Sequence, residues 1–336
     1  MSQKQVLITG GAGYIGCHVV QLALEKGYNP VVLDDLSTGS LQFLPEGVPL
    51  IEISTSNSFL EIAEKIAKYE IDSVIHLAGF KAAGVSVERP LDAYKSNVTG
   101  IINILKAMNL CGIDVLVNSS SAAVYGQPRY MTLIPEDFEK KPISPYGRSK
   151  LMSEEIIEDY ANSRKMKEHY TPFLFTNLRY FNVVGSGYLH LYDKSEHNLF
   201  PIVFRTLLSQ QIPAIYGGDF DTADGTCVRD YVHVQDLAEA HLTALDALRS
   251  GKELQPAYNL GSGQGSTVLE VMKEVSEVSG IPFRPVIRDR RPGDPAILVA
   301  NIEAAKEDLN WKSSYTLREM VESGWKAQVH AKLKGL

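Results

Sequence analysis

The sequence predicts an α/β fold, a doubly wound parallel sheet followed by a smaller mixed α/β C-terminal lobe. Three observations predict it. Apolar, β-rich runs alternate with helix-period runs through the first half, and a glycine-rich turn joins the first such run to the first helix. Beyond about Asn182 the alternation loosens into loops carrying glycine, proline and isolated charges.

Taken in order, the first half reads as a strand Val6–Thr9, a helix from about Gly13 to Gly27, a strand Val31–Asp34 and a helix around Leu60–Tyr69. It continues with Ser73–Ala78, a helix from about Leu91 to Leu110, Val115–Ser119, a helix starting near Tyr146, and Phe173–Leu178. With the strand-like run before Ser54 this makes six strands joined by helical crossovers, the pattern of a parallel sheet. Helices follow near Asn198–Ser209, Val234–Leu248, Thr267–Ser279, Ile302–Leu309 and Thr316–Val329. The expected domains are 1–182 and 183–336, with a segment near 230–250 returning to the first.

Composition narrows the function classes. The 33 basic and 40 acidic residues give a net charge of −7, and no lysine- or arginine-rich block is present to neutralise a phosphate backbone. Nucleic acid is therefore not an expected partner. Cys17, Cys111 and Cys227 form neither a C-x-x-C pair nor a zinc box, so no metal site is expected and the usage fits a reduced cytoplasmic compartment. Met1-Ser2-Gln3-Lys4 runs into a strand without a secretory pattern, and no apolar run approaches the roughly eighteen residues of a membrane helix.

Directly after the first strand comes Gly10-Gly11-Ala12-Gly13-Tyr14-Ile15-Gly16, with Gly10, Gly13 and Gly16 in a G-x-x-G-x-x-G frame and the last opening a helix. Glycine serves such a turn because the turn is tight, a diphosphate must approach the backbone, and helix and strand must pack closely. The second strand ends at Asp34, 18 residues after Gly16, where a carboxylate accepts hydrogen bonds from a ribose. That spacing predicts a Rossmann-type dinucleotide site. A carboxylate repels a 2′-phosphate and Asp35-Leu36-Ser37 offers no arginine to compensate, so the expected cofactor is NAD rather than NADP.

Ser144-Pro145-Tyr146-Gly147-Arg148-Ser149-Lys150 places a tyrosine and a lysine four apart on one helix face. An ammonium one turn away stabilises a phenolate and draws its pKa from about 10 toward the working range, which makes Tyr146 a candidate base. Ser119-Ser120-Ser121 ends a parallel strand, at the ligand edge of the sheet, and Ser121 lies 25 residues before Tyr146. Each element alone has an ordinary reading, as a turn, a helix packing pair or a polar strand cap.

Together with Val124-Tyr125-Gly126 these motifs resemble the extended short-chain dehydrogenase/reductases that act on sugar nucleotides. His76-Leu77-Ala78-Gly79-Phe80-Lys81-Ala82, Arg179-Tyr180-Phe181-Asn182, His197-Asn198-Leu199, the segment Asp224–His233 and Arg291-Pro292-Gly293-Asp294 are similar to the UDP-galactose 4-epimerases among them, and the resemblance runs from Val6 to about Trp325. It implies a catalytic set of Ser121, Tyr146 and Lys150. It implies an NAD site of Gly10, Gly13, Tyr14, Ile15, Gly16, Asp34, Asp35, Lys81, Asn97, Tyr146, Lys150 and Tyr180. It implies that UDP-galactose or UDP-glucose is held by Ser121, Tyr146, Asn182, Asn198, Leu199, Tyr216, Arg229, Arg291, Asp294 and Leu298, with Tyr216 against uracil and the arginines on pyrophosphate.

The resemblance further implies a homodimer through the helices around Leu91–Leu110 and Tyr146–Tyr160. The chain departs from the family where Ser54 stands in place of an adenine-binding aspartate, Ala123 in place of a threonine, Val183 in place of a proline, and where the loop from Ser186 to His197 is short. Rival readings are a 4,6-dehydratase, which needs an Asp-Glu pair where this chain has Ala122-Ala123, and a non-catalytic NAD sensor, against which the intact Ser121, Tyr146 and Lys150 argue. Leu298, four residues after Asp294, is expected to set the space beside the sugar's C2 substituent.

Overall fold

A computed structural model describes residues 5–128, 133–166, 171–291 and 294–335. In chain order its elements begin β1 (Gln5–Thr9), α1 (Tyr14–Glu25), β2 (Asn29–Asp34), β3 (Leu50–Glu52), α2 (Phe59–Ile66), β4 (Ile71–His76), α3 (Ala83–Glu88) and α4 (Pro90–Tyr94). There follow α5 (Gly100–Cys111), β5 (Val115–Ser121), α6 (Pro145–Lys165), β6 (Leu174–Tyr180), β7 (Asn182–Val184), α7 (Leu199–Leu208), β8 (Ala214–Tyr216), β9 (Val228–His233) and α8 (Val234–Arg249). The last are β10 (Ala257–Leu260), β11 (Gly265–Thr267), α9 (Val268–Ser279), β12 (Val286–Arg288), β13 (Ile297–Leu298), α10 (Glu303–Leu309) and α11 (Leu317–Leu333).

By their contacts these elements form two units. The first comprises the described parts of Met1–Gly126, Glu139–Arg179 and Ala238–Tyr258, the second those of Gln127–Phe138, Tyr180–Leu237 and Asn259–Leu336. The segment returning to the first unit is thus Ala238–Tyr258, and a short excursion, Gln127–Phe138, belongs to the second. That excursion is fastened by backbone hydrogen bonds from Ile134 N to Val299 O and from Asn301 N to Ile134 O, both 2.9 Å.

The first unit is built on a seven-stranded sheet of order β10-β6-β5-β4-β1-β2-β3. The pairings of β1 with β2 and β4, of β2 with β3, and of β4 with β5 are parallel. Consecutive residues of a strand face opposite sides, and Val6, Leu7 and Ile8 are all fully buried, so both faces of β1 are covered. One face packs Leu7, Val31, Leu33, Val74 and Leu116 against Ile62 and Ile66 of α2, Ile101, Ile104 and Met108 of α5, and Ile157 of α6. Strand order reverses between β1 and β4, and such a switch point opens a crevice at the carboxyl ends of the strands.

The sheet has a seventh strand beyond the six expected, because β10 reads Ala-Tyr-Asn-Leu, without a β-branched residue to signal it. The helix expected over Leu91–Leu110 is α4 and α5 joined by a π-helical turn, Lys95–Thr99. Such turns occur frequently at functional sites, and this one carries the buried Asn97.

In the second unit β9 is the hub, antiparallel to β11 and parallel to both β13 and β7, while β8 and β12 pair separately. Its core packs Phe200, Val203 and Phe204 of α7 with Tyr231 of β9, Val271 and Met272 of α9, and Met320 and Val321 of α11. No helix among the described residues is long and apolar enough to cross a membrane.

Candidate active site

The glycine turn between β1 and α1 is closed by backbone contacts. Gly10 N donates to Leu33 O at 2.7 Å and Gly13 N to Gly10 O at 3.1 Å. Gly10 has φ +70°, a left-handed conformation that favours glycine, and a side chain there would meet Ala78 N at 2.6 Å. Gly13 is the N-cap of α1 and provides no capping side chain, so the first-turn N–H groups, those of Tyr14, Ile15 and Gly16, are presented to an anion. Asp34 closes the crevice. Its Oδ2 accepts from Ala12 N and its Oδ1 from Leu36 N, both at 2.9 Å. Burial pushes the Asp34 carboxyl up, and these two N–H groups oppose the shift. An N–H cradle beside an acid at a switch point fits a dinucleotide with a free ribose diol.

Asp35, exposed, accepts from Ser37 N at 3.0 Å and is also hydrogen-bonded by Ser54. The residue standing where the family has an acid therefore serves a neighbouring acid. Asn97 is buried and its amide is engaged: Oδ1 accepts from Phe80 N at 2.8 Å, while Nδ2 donates to Phe80 O at 3.2 Å and to Ser149 Oγ at 2.8 Å. It ties the Gly79–Phe80 loop to α6. Lys81 follows that loop and is exposed. Tyr180, at the end of β6, is buried and counts with the second unit.

The catalytic candidates meet where α6 starts beside the end of β5. Ser144 caps α6, its Oγ accepting from Gly147 N at 3.1 Å, and Pro145 occupies the first turn. Tyr146 N donates to Ser86 Oγ at 3.0 Å, and Ser121 hydrogen-bonds the Tyr146 phenol. Lys150 is buried and donates from Nζ to Ser119 O at 2.8 Å and to Ser119 Oγ at 3.4 Å. Burial draws Lys150 down to about 8, with Glu154 pulling the other way. Burial pushes the Tyr146 phenol up and the Ser121 hydrogen bond pulls it down. A base here therefore needs positive charge beside it. Ser86, Ser119, Ser120, Glu154 and Arg179 escaped sequence reasoning as site residues. Only Glu154, at the fourth residue after Lys150, gave a spacing signal.

His76 ends β4 beside this group. Thr9 Oγ1 accepts from Leu77 N and Ala78 N, so its own proton goes to His76 Nδ1, 2.7 Å away, which leaves a neutral imidazole. Burial, then the Lys150 charge, depress His76 to about 3. A histidine depressed from 6.5 to about 3 costs stability as pH falls through that window, because only the unfolded chain takes up the proton. His76→Gln is expected to flatten the fall of the urea midpoint between about pH 6.5 and 4 relative to the parent. Parallel curves would remove His76 as a source of acid sensitivity.

Of the expected sugar-nucleotide residues, Ser121 and Tyr146 belong to the first unit and the other eight to the second. Arg229 and Asp294 lie together, Nη2 to Oδ1 at 3.5 Å, while Arg229 Nη1 donates to Val228 O at 2.9 Å and Pro295 O at 2.7 Å. Leu298 pairs with Arg229 across β13 and β9. The Arg291 guanidinium lies 4.2 Å from the centre of the half-exposed Tyr216 ring. Asn182 Nδ2 donates to Asp230 O at 2.9 Å, and Asn198 Nδ2 to Asp193 Oδ2 at 2.8 Å, just ahead of Leu199 at the start of α7. Pro292 and Gly293 of the Arg-Pro-Gly-Asp motif lie outside the described residues.

Along most of its length the chain is similar to known proteins. The model of the NAD dependent epimerase/dehydratase family matches residues 6–261. The chain is 40% identical over 315 residues to a UDP-glucose 4-epimerase of Azospirillum brasilense, covering 92% of this chain and 87% of that one. It is similar to the UDP-glucose-4-epimerase of Stenotrophomonas maltophila solved with NAD and formylated UDP-arabinopyranose, with TM-score 0.91 and 33% identity over 99% of this chain and 100% of that one. It is also similar to the UDP-glucose 4-epimerase of Bifidobacterium longum in complex with NAD+ and UDP, with TM-score 0.88 and 35% identity over 97% and 98% of the two chains.

Proposed function

The chain belongs to the NAD dependent epimerase/dehydratase family, and we propose that it interconverts UDP-galactose and UDP-glucose by epimerisation at C4 of the sugar, with NAD held as a cofactor. The observation that carries this reading is the join of β5 and α6, where Ser121 bonds the Tyr146 phenol and Lys150 follows one turn later in a buried site. A hydroxyl-bearing C4 becomes planar only as a ketone, so inversion there requires oxidation and re-reduction. NAD supplies that chemistry, taking a hydride from C4 and returning it.

The chain's residues handle the proton and the binding. Tyr146, as phenolate, takes the 4-hydroxyl proton and later returns it to the ketone oxygen, so nothing is consumed over a cycle. Ser121 orients that oxygen, and Lys150 holds the phenolate form by its charge. Gly10, Gly13, Gly16 and the start of α1 take the dinucleotide phosphates, and Asp34 takes the adenosine ribose. Arg229 and Arg291 take the UDP pyrophosphate, Asp294 the uridine ribose, and Tyr216 the uracil. Ala122 and Ala123 offer no acid and base for eliminating water, which disfavours a dehydratase. The test is turnover of UDP-galactose by the purified protein without added NAD. Inactivity both there and with NAD supplied overturns the reading.

Substrate choice turns on Leu298, which is half-buried. A leucine leaves part of the volume that a C2 acetamido group needs, so UDP-galactose and UDP-glucose are the main pair and UDP-N-acetylgalactosamine is used more slowly. Pocket size is a coarse lever, worth about 1–3 kcal/mol. Leu298→Tyr is expected to lower kcat/KM for the N-acetylated sugar at least about tenfold relative to UDP-galactose. An unchanged ratio, or no N-acetyl activity in the parent, shows that Leu298 does not gate the pocket.

The protein is further proposed to be a cytoplasmic homodimer. Exposed apolar side chains on α4, α5 and α6, namely Leu91, Leu110 and Met152, support burial of those helices in an interface. Light scattering at micromolar concentration is expected to give twice the 37.1 kDa chain mass, and a monomer mass rejects the dimer.

A further inference from the structure

Each serine of the run at the end of β5 contacts a different turn of α6, though not in sequence order. Ser121 bonds Tyr146, Ser119 holds the Lys150 ammonium, and Ser120 Oγ donates to Glu154 Oε1 at 2.5 Å. Tyr146, Lys150 and Glu154 follow one another at four-residue spacing and so line one face of the helix. Three consecutive strand residues thus fix three consecutive turns of α6. Glu154 also takes a two-pronged bond from Arg179, Nε to Oε1 at 2.9 Å and Nη2 to Oε2 at 2.7 Å. Arg179 Nη1 in turn donates to Tyr125 OH at 2.8 Å, and the guanidinium lies 5.2 Å from that ring's centre.

The side chains of Glu154 and Arg179 are 0% and 2% exposed. A fully buried ion pair is seldom favoured over apolar residues of the same size, so stability alone does not account for it. The proton transfer assigned to Tyr146 does not use it either. We propose that Glu154 is a positioning residue for the Tyr146–Lys150 pair: clamped by Ser120 and Arg179, its carboxylate keeps Lys150 an ammonium beside the phenol. This rests on the reading of Tyr146 as the base.

The direction of the effect follows from charge. Burial draws the lysine's proton off and Glu154 is the group that opposes it. Without the carboxylate, Lys150 gives up its proton at lower pH, the phenolate loses its cation, and Tyr146 ionises at higher pH. Glu154 also disfavours the phenolate directly, but from two helical turns away, about 12 Å along the axis, against one turn for Lys150. His76 on β4, a neutral imidazole, also faces the lysine, and the groups around Glu154 are Arg179 on β6 with its partner the Tyr125 phenol, and Glu158 on α6. Of these only Arg179 changes its pairing when Glu154 is neutralised, and its stranded charge pushes Lys150 in the same direction.

The test uses the NAD-loaded protein and two readouts, the pH profile of kcat and the titration of Tyr146. The latter is taken as the tyrosinate absorbance difference between each protein and its Tyr146→Phe counterpart. Glu154→Gln, which keeps shape and loses charge, is expected to move both midpoints up by about one pH unit. KM for UDP-galactose should change by less than about threefold. Glu154→Asp, which keeps charge and loses shape, should stay within about 0.3 pH unit of the parent. Should Glu154→Gln fail to fold, the pair Glu154→Gln with Arg179→Met removes both buried charges and is expected to show the same upward direction. Midpoints that do not move in the charge-neutral protein, or that move as far in Glu154→Asp, overturn the proposal. A parent that titrates as described but does not epimerise overturns the functional reading instead, because the absorbance still reports on the pair.

Discussion

Tyr146→Phe lowers turnover of UDP-galactose at least about a hundredfold, the loss expected when a general acid–base is removed. The substitution removes one oxygen. It leaves the ring on the first turn of α6, where the backbone N–H still bonds Ser86 Oγ and Ser144 still caps the helix. Lys150 keeps its two contacts to Ser119, so the cation remains without a phenolate to stabilise. UDP binding is assigned to residues of the second unit and is expected to change by less than about threefold. Steady-state rates and calorimetric titration with UDP check the two halves. Near-parent turnover shows that another group moves the proton, and loss of UDP binding together with turnover shows that the fold was damaged.

What the sequence made legible was local. The glycine frame, Asp34 at the end of β2 and the Tyr146–Lys150 spacing each lie within one strand, turn or helix, so spacing alone specifies which side chains share a face. The long helices α6, α7, α9 and α11 were legible for the same reason, and Thr267 and Thr316 cap two of them with complete capping boxes. Illegible features were those made by distant pairing. Arg179 meets Glu154 from 25 residues away and Tyr125 from 54, and Ser86 meets Tyr146 from 60, separations at which no periodicity carries information. The strands β7, β8, β11, β12 and β13 have three residues or fewer, too short for an alternation to show. The π-helical turn escaped because its one extra residue per turn leaves the apolar pattern of α4 and α5 nearly intact.

Gly16→Ala is expected to leave the purified protein with less than about a tenth of the parent's bound NAD and to lower stability by about 1–3 kcal/mol. A methyl group at Gly16 would lie 2.0 Å from Gly10 O, 2.7 Å from Gly11 Cα and 2.8 Å from Gly10 C, all backbone atoms. Those atoms have nowhere to go. Gly10 is held to Leu33 O by its own N–H and faces Ala78 N so closely that it has no room for a side chain itself. Relief comes only by moving the start of α1 away from the turn, which takes the first-turn N–H groups off the position where the phosphates bind. The control is Gly84→Ala in α3, where the added carbon meets nothing within 4 Å, so NAD content and melting temperature should match the parent or the latter rise slightly. Cofactor content by absorbance after denaturation, with thermal melts of all three proteins, decides it. If Gly16→Ala retains NAD and melts with the parent, the turn tolerates a wider approach of helix to strand, and close packing is not why glycine stands there.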